Sequence, residues 1–354
     1  MSDHIETQTI SGVVRHRAAH ELSNDPSATS RPSLKKRRFK KRWLVYFLLL
    51  VGLGPYLVFR VTSSTRKIQF FEFNNAAEVA DLDGPLRVAT WNIAHGRGAT
   101  FDNWAEGGDS KQERLRKISQ LIVDMDADIV VLNEVDFCST WSGGHDQAVT
   151  IAQQTGYPYL IKQSNLDFGF IYGRWHFGNV ILSRYPVSNI RVVEFAPVNE
   201  WESWLVGCKR GVACTVELGP ENSVSVMGLH LESRGETVRV KEVGDVNRVA
   251  SHLEKPLILA GDLNTTPTIA PQSNLDANGR NAFEELVSLT GLSYSPALSP
   301  AKDELTFPAF GPKTTIDWIL FSGDTFSLVE QEVIETQLSD HLPVLAEFES
   351  NEQY

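Results

Sequence analysis

LILAGDLNTTP, residues 257–267, is an apolar run that ends on an acid and an amide one residue apart, Asp262 and Asn264, and then on Thr265-Thr266-Pro267. Bounded by Lys255-Pro256 before it and broken at Gly261, such a run reads as a strand buried on both faces. Its end lies at the rim of a core. The carboxyl ends of such strands are where loops are free to present polar groups to a ligand. Side chains two apart on an extended chain point the same way, so Asp262 and Asn264 can address one ligand together. A plain turn competes with this reading, because Gly, Asp, Asn and Pro all favour turns. The stretch alone does not choose between them.

Working outward, the same pattern recurs. LRVATWNI (86–93) and DIVVLNEV (128–135) are short apolar runs with polar ends, and between them Leu115, Ile118, Leu121, Ile122 and Met125 fall at helical spacing. FGNVILSRYPV, RGVACTVEL and SVSVMGLHL read as strands of an antiparallel sheet. Val243, Val246, Val249 and Leu253 mark a helix before the opening strand, NAFEELVSL a short helix after it, and IDWILFS and LPVLAEFE the last strands. Strands and helices mixed in one unbroken segment, residues 86–350, predict a single α/β domain built on large sheets.

The strand ends carry Asn92, Glu134, His230, Asp262 and Asn264; Asp317 opens one late strand, and Asp340 and His341 precede the last. Acids, amides and imidazoles without a nucleophile elbow or a glycine-rich phosphate loop suit a hydrolase whose nucleophile is water. A hard divalent cation takes carboxylate and amide oxygens, a role that fits Glu134 and Asp340. A carboxylate can activate water, and a histidine held by a second carboxylate can move a proton or neutralise phosphoryl charge; Asp317 with His341, and His230, are the candidates. Taken singly, a lone histidine is more often a satisfied structural residue, and a lone Asp or Asn is usually a cap or a turn.

The rest of the chain is unevenly charged. Residues 1–67 hold thirteen Lys and Arg against four Asp and Glu; the remainder holds twenty against forty. An acidic body gives no electrostatic support for non-specific nucleic-acid binding, which needs Lys and Arg on phosphates. Residues 1–42 read as a disordered basic tail closing on KKRRFKKR, and 43–59, WLVYFLLLVGLGPYLVF, as 17 uncharged residues that predict one transmembrane helix. The positive charge ahead of it places the N-terminus in the cytoplasm and the catalytic body outside it, a single-pass arrangement with residues 60–85 as the membrane-proximal connector. A cleaved signal sequence and a nuclear address compete for the same residues. Cys138, Cys208 and Cys214 lack metal-ligand spacing; a Cys208–Cys214 disulfide and three free thiols stay equally open.

In order along the chain, TWNIAHGRG (90–98), LNEVD (132–136), GNVILSRYP (178–186), CKRGVACTVEL (208–218), GLHLES (228–233), LILAGDLNTTP (257–267), TFPAFGPKTTIDWILFS (306–322) and SDHLP (339–343) resemble the successive motifs of the endonuclease/exonuclease/phosphatase superfamily, which has the DNase-I-like fold. The resemblance implies an α/β four-layer αββα sandwich of two mainly antiparallel sheets. It also implies a phosphoesterase site that uses Mg²⁺ or Mn²⁺, with Asn92, Glu134 and Asp340 on the cation side. Asp262 and Asn264 would orient water and bind phosphate, His230 and His341 would meet the phosphoryl group, and Asp317 would fix His341. Asn179 and Arg184 are candidate substrate contacts.

Two positions depart from the pattern: Asn133 stands where many members have Gln, and Ala94 where some nucleases have an acid. The expected activity is hydrolysis of a phosphodiester or phosphomonoester by direct attack of water, with lipid-derived or small phosphoesters favoured. A nuclease, and an inactive scaffold on the same fold, are the alternatives. Substrate choice is expected in loops 96–110, 138–147, 162–176, 194–208 and 265–280, which carry Trp141, Trp175, Trp201 and Trp204.

Overall fold

A computed structural model describes residues 35–63, 67–73, 81–170, 173–296 and 299–351. Most of the expected basic tail, residues 1–34, lies outside them. The helices are α1 (Lys35–Ser63), α2 (Gly108–Met125), α3 (Gln147–Thr155), α4 (Glu200–Val206), α5 (Glu236–Ala250) and α6 (Ala282–Thr290). The first strands are β1 (Ile68–Glu72), β2 (Leu86–Asn92), β3 (Ile129–Asp136), β4 (Tyr159–Phe170), β5 (Gly173–Ser183) and β6 (Val187–Glu194). There follow β7 (Arg210–Gly219), β8 (Asn222–His230), β9 (Leu257–Asp262), β10 (Ser293–Tyr294), β11 (Asp317–Phe321), β12 (Phe326–Val333) and β13 (Val344–Ser350).

The strands form two mixed sheets, ordered β1-β4-β5-β3-β2-β13-β12 and β10-β11-β9-β8-β7-β6. Each sheet contains one parallel pair, β2 with β3 and β8 with β9; every other pairing of named strands is antiparallel. Parallel neighbours need a crossover, and α2 and α5 supply them. The alternation of the strand sequences then sorts three apolar layers. Val88, Val131 and Ile181 of one sheet meet Val212, Val226 and Ile258 of the other between the sheets. Trp91, Val130 and Leu132 pack outward on Ile118 and Ile122 of α2 and Ile151 of α3. Met227, Leu259 and Trp318 pack outward on Val243 and Val246 of α5 and Phe283 of α6. Helices, two sheets and helices in succession make the expected four-layer sandwich.

The segment expected as a connector, 60–85, holds β1, which pairs with β4 from Ile68↔Gln163 to Glu72↔Tyr159, so part of it belongs to the sheet. Residues 162–176, expected as a loop, instead run through the long β4–β5 hairpin. All three cysteines are free thiols, and Cys214 is fully buried.

Among the described residues no helix is long and apolar enough to cross a membrane. Over the expected span, 43–59, the structure has part of α1 with Trp43 to Leu50 exposed; the side chains at 55 and 58–60 lie outside the described set. The expected transmembrane helix is thus not borne out as a span.

Candidate active site

Asp262 ends β9, where its register partners are His230 of the parallel β8 and Asp317 of the antiparallel β11. Three polar residues thereby stand side by side at one sheet edge. Gly261 makes this close approach feasible: it has φ +145°, and a Cβ there would lie 1.9 Å from the Leu229 carbonyl oxygen. In the other sheet Asn92 and Asn133 end up paired, and a bulge between Leu132 and Val135 turns Glu134 outward with φ +52°. Eight described non-glycine residues have positive φ, and four of them, Ala94, His95, Glu134 and Asn264, lie at this edge, where strained backbone commonly marks function. The last loop is pinned to β2: Trp91 Nε1 donates to the His341 carbonyl at 2.9 Å and Ser339 Oγ to the Asn92 carbonyl at 2.6 Å.

The site centres on the buried carboxylate of Asp262. Its Oδ2 accepts from Asn92 Nδ2 at 3.0 Å and lies 3.4 Å from His230 Nε2 and 3.9 Å from His341 Nε2. Its Oδ1 accepts from the Asn264 amide at 3.0 Å, while Asn264 Nδ2 donates to the Leu231 carbonyl. His341 Nδ1 faces both oxygens of Asp317, at 3.1 and 2.9 Å. His230 Nε2 is 2.8 Å from Lys209 Nζ, which also donates to the Leu231 carbonyl at 2.6 Å. Behind Asp262, Asn133 Oδ1 accepts its backbone N–H, and Asn133 Nδ2 donates to Asn179 Oδ1 and the Leu229 carbonyl. Asn179 is therefore a buried brace rather than a group open to substrate.

Beside this centre lie Glu134 and Asp340. Arg97 joins them, with Nη2 2.6 Å from Asp340 Oδ2 and Nη1 3.5 Å from Glu134 Oε2. His95 stands between Glu134 Oε2, 3.2 Å from its Nε2, and Asp136 Oδ1, 3.0 Å from its Nδ1. Trp141 Nε1 donates to the other Asp136 oxygen and its ring lies 5.2 Å from that of His95, which gives Trp141 a packing role.

Burial acts on all these groups, and the neighbouring charges decide the outcome. Burial, with help from Asp317, raises Asp262 to about 6 against the opposing pull of His341 and Lys209. Burial alone would lower His341, but Asp317 and Asp262 outweigh it and lift the imidazole to about 10; Asp136 and Glu134 likewise override burial at His95 and lift it to about 9. Burial and the Lys209 ammonium hold His230 well below its usual value, so its approach to Asp262 is a contact of a neutral ring, not an ion pair. With Nε2 accepting from Lys209, the proton sits on Nδ1, a buried atom with no hydrogen-bond partner. Glu134 is held well below the carboxylate range, because its neighbours, His95 above all, then His230 and Arg97, outweigh burial.

Two groups of donors could receive a divalent cation. Asp262, Asp317 and His341 have ligand atoms within 4.8 Å of one another, and Asp317 and Asp262 favour the charged imidazole, so a metal there would have to displace a proton from His341. Asn92, Glu134 and Asp340 offer the all-oxygen set that Mg²⁺ and Mn²⁺ take. Glu134 and Asp340 already share one cation, the Arg97 guanidinium, so their oxygens face a common positive group and their chemistry fits such an ion, while Asn92 Oδ1 also accepts from the Ala94 N–H.

Of the residues singled out in the sequence, Asn92, Glu134, His230, Asp262, Asn264, Asp317, Asp340 and His341 come together. Arg184 does not: it follows β5, whose end pairs with the start of β3 at Ser183↔Ile129, the edge opposite Glu134. There it pairs with Asp126 and Asp128 over the Tyr157 ring. His95, Arg97, Asp136 and Lys209 were missed as individual site residues. All four lie inside or beside the AHGRG, LNEVD and CKRGV motifs, and that proximity was the available signal.

The fold has relatives. Solved structures with similar folds include an endonuclease/exonuclease/phosphatase from Bacteroides vulgatus (20% identity, 76% of this chain and 100% of that one, TM-score 0.55). One from Beutenbergia cavernae aligns at 21% identity over 76% of this chain and 72% of that one, TM-score 0.53. The human Nocturnin catalytic domain with bound sulfate aligns at 18% identity over 80% and 97%, TM-score 0.52. A UPF0294 protein of Erwinia tasmaniensis is 26% identical over 176 residues, 48% of this chain and 59% of that relative, so the match spans less than two thirds of the relative's length. The sequence model of the Endonuclease/Exonuclease/phosphatase family matches residues 89–341, a stretch that holds every residue of the cluster, and the chain belongs to that family.

Proposed function

We propose that the protein hydrolyses phosphoester bonds, with water as the nucleophile and a divalent cation as cofactor. The observation that carries this reading is the Asp262 carboxylate, buried yet flanked by Asn92, His230 and the His341–Asp317 pair. A carboxyl raised to about 6 is ionised at neutral pH and basic enough to take a proton from attacking water. Asn92 and the Asn264 amide fix its orientation. His341, protonated and held by Asp317, offers an Nε2 proton to phosphoryl charge, and Lys209 adds a second positive group behind the neutral His230. A cation at Asn92, Glu134 and Asp340 would polarise a phosphoryl oxygen.

Lipid-derived or small phosphoesters are the favoured substrates, and attachment to a membrane surface through α1 the favoured setting. Supporting this are the exposed apolar side chains from Trp43 to Leu50 beside a basic run, the acidic body, and the exposed rings of Phe101, Trp104, Phe310 and Trp201. Phe101 lies 6.3 Å from Phe307, whose ring is 4.7 Å from His341, so part of this surface adjoins the site. The test is release of product by the full chain, with Mg²⁺ or with EDTA, from phospholipids, inositol phosphates, nucleic acids and bis-p-nitrophenyl phosphate. Preference for nucleic acid would move the reading to a nuclease. Binding without turnover would move it to a scaffold.

A further inference from the structure

Arg97 holds an unusual position for a side chain that no recognised role requires. Its guanidinium is nearly buried, 13% exposed, and every nitrogen is engaged: Nε donates to the Thr100 carbonyl at 2.7 Å and Nη1 to Asn103 Oδ1 at 3.2 Å, while Nη1 and Nη2 reach Glu134 and Asp340. Those two carboxylates are the ones read above as cation ligands. They are unequal in their dependence on Arg97. Glu134 also has His95 at 3.2 Å and His230 at 4.0 Å, whereas the second oxygen of Asp340 faces the Ser339 hydroxyl at 3.5 Å. An Arg stays charged at every accessible pH and its planar fork suits two carboxylates at once. The site therefore contains its own cation.

We propose that Arg97 is the resident counter-cation of the Glu134–Asp340 pair, and that a divalent cation gains these carboxylates in competition with its guanidinium. The proposal rests on the assignment of Glu134 and Asp340 to the cation. Its physical content is simple. Asp340 is buried and Glu134 is half-buried beside it, so without a metal Arg97 stabilises the pair and Asp340 above all. A divalent ion held by these carboxylates would be opposed by the fixed positive charge of Arg97, whose contacts to Asp340 would have to be given up. The contacts of Arg97 to Thr100 and Asn103 do not involve the carboxylates and would not have to be broken. Arg97 thereby sets the affinity of the site.

The experiment is calorimetric titration of the full chain in detergent with Mg²⁺ and with Mn²⁺, no substrate present, for the wild type, Arg97→Gln and Arg97→Lys. Removing the charge is expected to tighten divalent binding by roughly tenfold or more, while Lys, which keeps the charge, stays within about threefold of the wild type. The metal-free Arg97→Gln protein is expected to melt below the wild type and to regain the difference on adding the cation. If it does not fold alone, excess cation during refolding is expected to recover it; failure there overturns the proposal. Unchanged or weaker cation binding by a folded Arg97→Gln protein also overturns it, as does binding by none of the three. Hydrolysis of bis-p-nitrophenyl phosphate by the wild type is read in parallel. Cation-dependent turnover with no effect of Arg97 on affinity sinks this proposal and leaves the phosphoesterase reading standing; tighter binding by Arg97→Gln without turnover does the reverse.

Discussion

Asn133 is the residue that ties the two sheets together at the site: its amide closes three hydrogen bonds, to the Asp262 N–H, to Asn179 and to the Leu229 carbonyl. Asn133→Ala would leave those partners unpaired in a fully buried position. A loss of about 3 kcal/mol is expected in urea unfolding, with kcat reduced by roughly tenfold or more as Asp262 loosens. Glu242, which lies behind Lys209 and touches none of the proposed reacting groups, offers a test of stability. Burial raises its carboxyl from 4.5 to about 7. Below 4.5 it is protonated folded or unfolded; above 7 it is ionised in both states and the folded protein bears the full penalty, so this group removes stability as pH rises between the two values. Glu242→Gln is expected to abolish that fall and to gain up to about 3 kcal/mol at pH 8, read from urea midpoints across pH. At this scale the sequence was legible where an apolar run pointed at a polar residue, as at Asp262 and His230. It placed Arg97 and Lys209 in motifs but not their roles, which come from Asp340 and His230 on other elements.

Elements decide where those residues point. β9 can bring Asp262 beside His230 because Gly261 lets its backbone meet the Leu229 carbonyl. Gly261→Ala would drive a methyl group into that oxygen and strain the backbone as well; a loss of about 3 kcal/mol or more is expected in equilibrium unfolding, together with loss of turnover. The opening stretch was readable as a strand from its apolar run, and helices α2 and α5 from their periodicity, since burial on one face leaves that imprint. Strand direction left no such imprint. Arg184 was placed near the substrate because its motif resembles a family motif, yet β5 runs antiparallel to β3 and delivers its end to the far edge. The β4–β5 hairpin was hidden for a related reason: residues 162–176 include Lys162, Gln163, Asn165 and Asp167, which are polar but buried, so apolar alternation fails there.

For the whole molecule, two sheets with three apolar layers follow from alternating strands and amphipathic helices, and this much the order of segments conveyed. The start of the folded body did not follow, because β1 is a single five-residue strand set apart from the other elements, and its pairing with β4 becomes visible only in three dimensions. A fragment beginning at Gly52 is expected to melt with the full chain. One beginning at Asp81 loses β1, uncovers the β4 edge and strips Phe71 and Phe73 from the outer core. It is expected to melt several degrees lower, at roughly 2–4 °C per kcal/mol lost, and to aggregate, as read by circular dichroism and light scattering. The central claim is that the converged acids and histidines form a cation-dependent hydrolytic site. Its most direct test is the rate of bis-p-nitrophenyl phosphate hydrolysis by the full chain with Mg²⁺, with EDTA, and in the Asp262→Asn and His341→Gln variants. The account predicts turnover that EDTA abolishes and that each substitution lowers by about 10²–10⁴-fold in a folded protein. Turnover indifferent to EDTA, or retained when Asp262 is replaced, would contradict it.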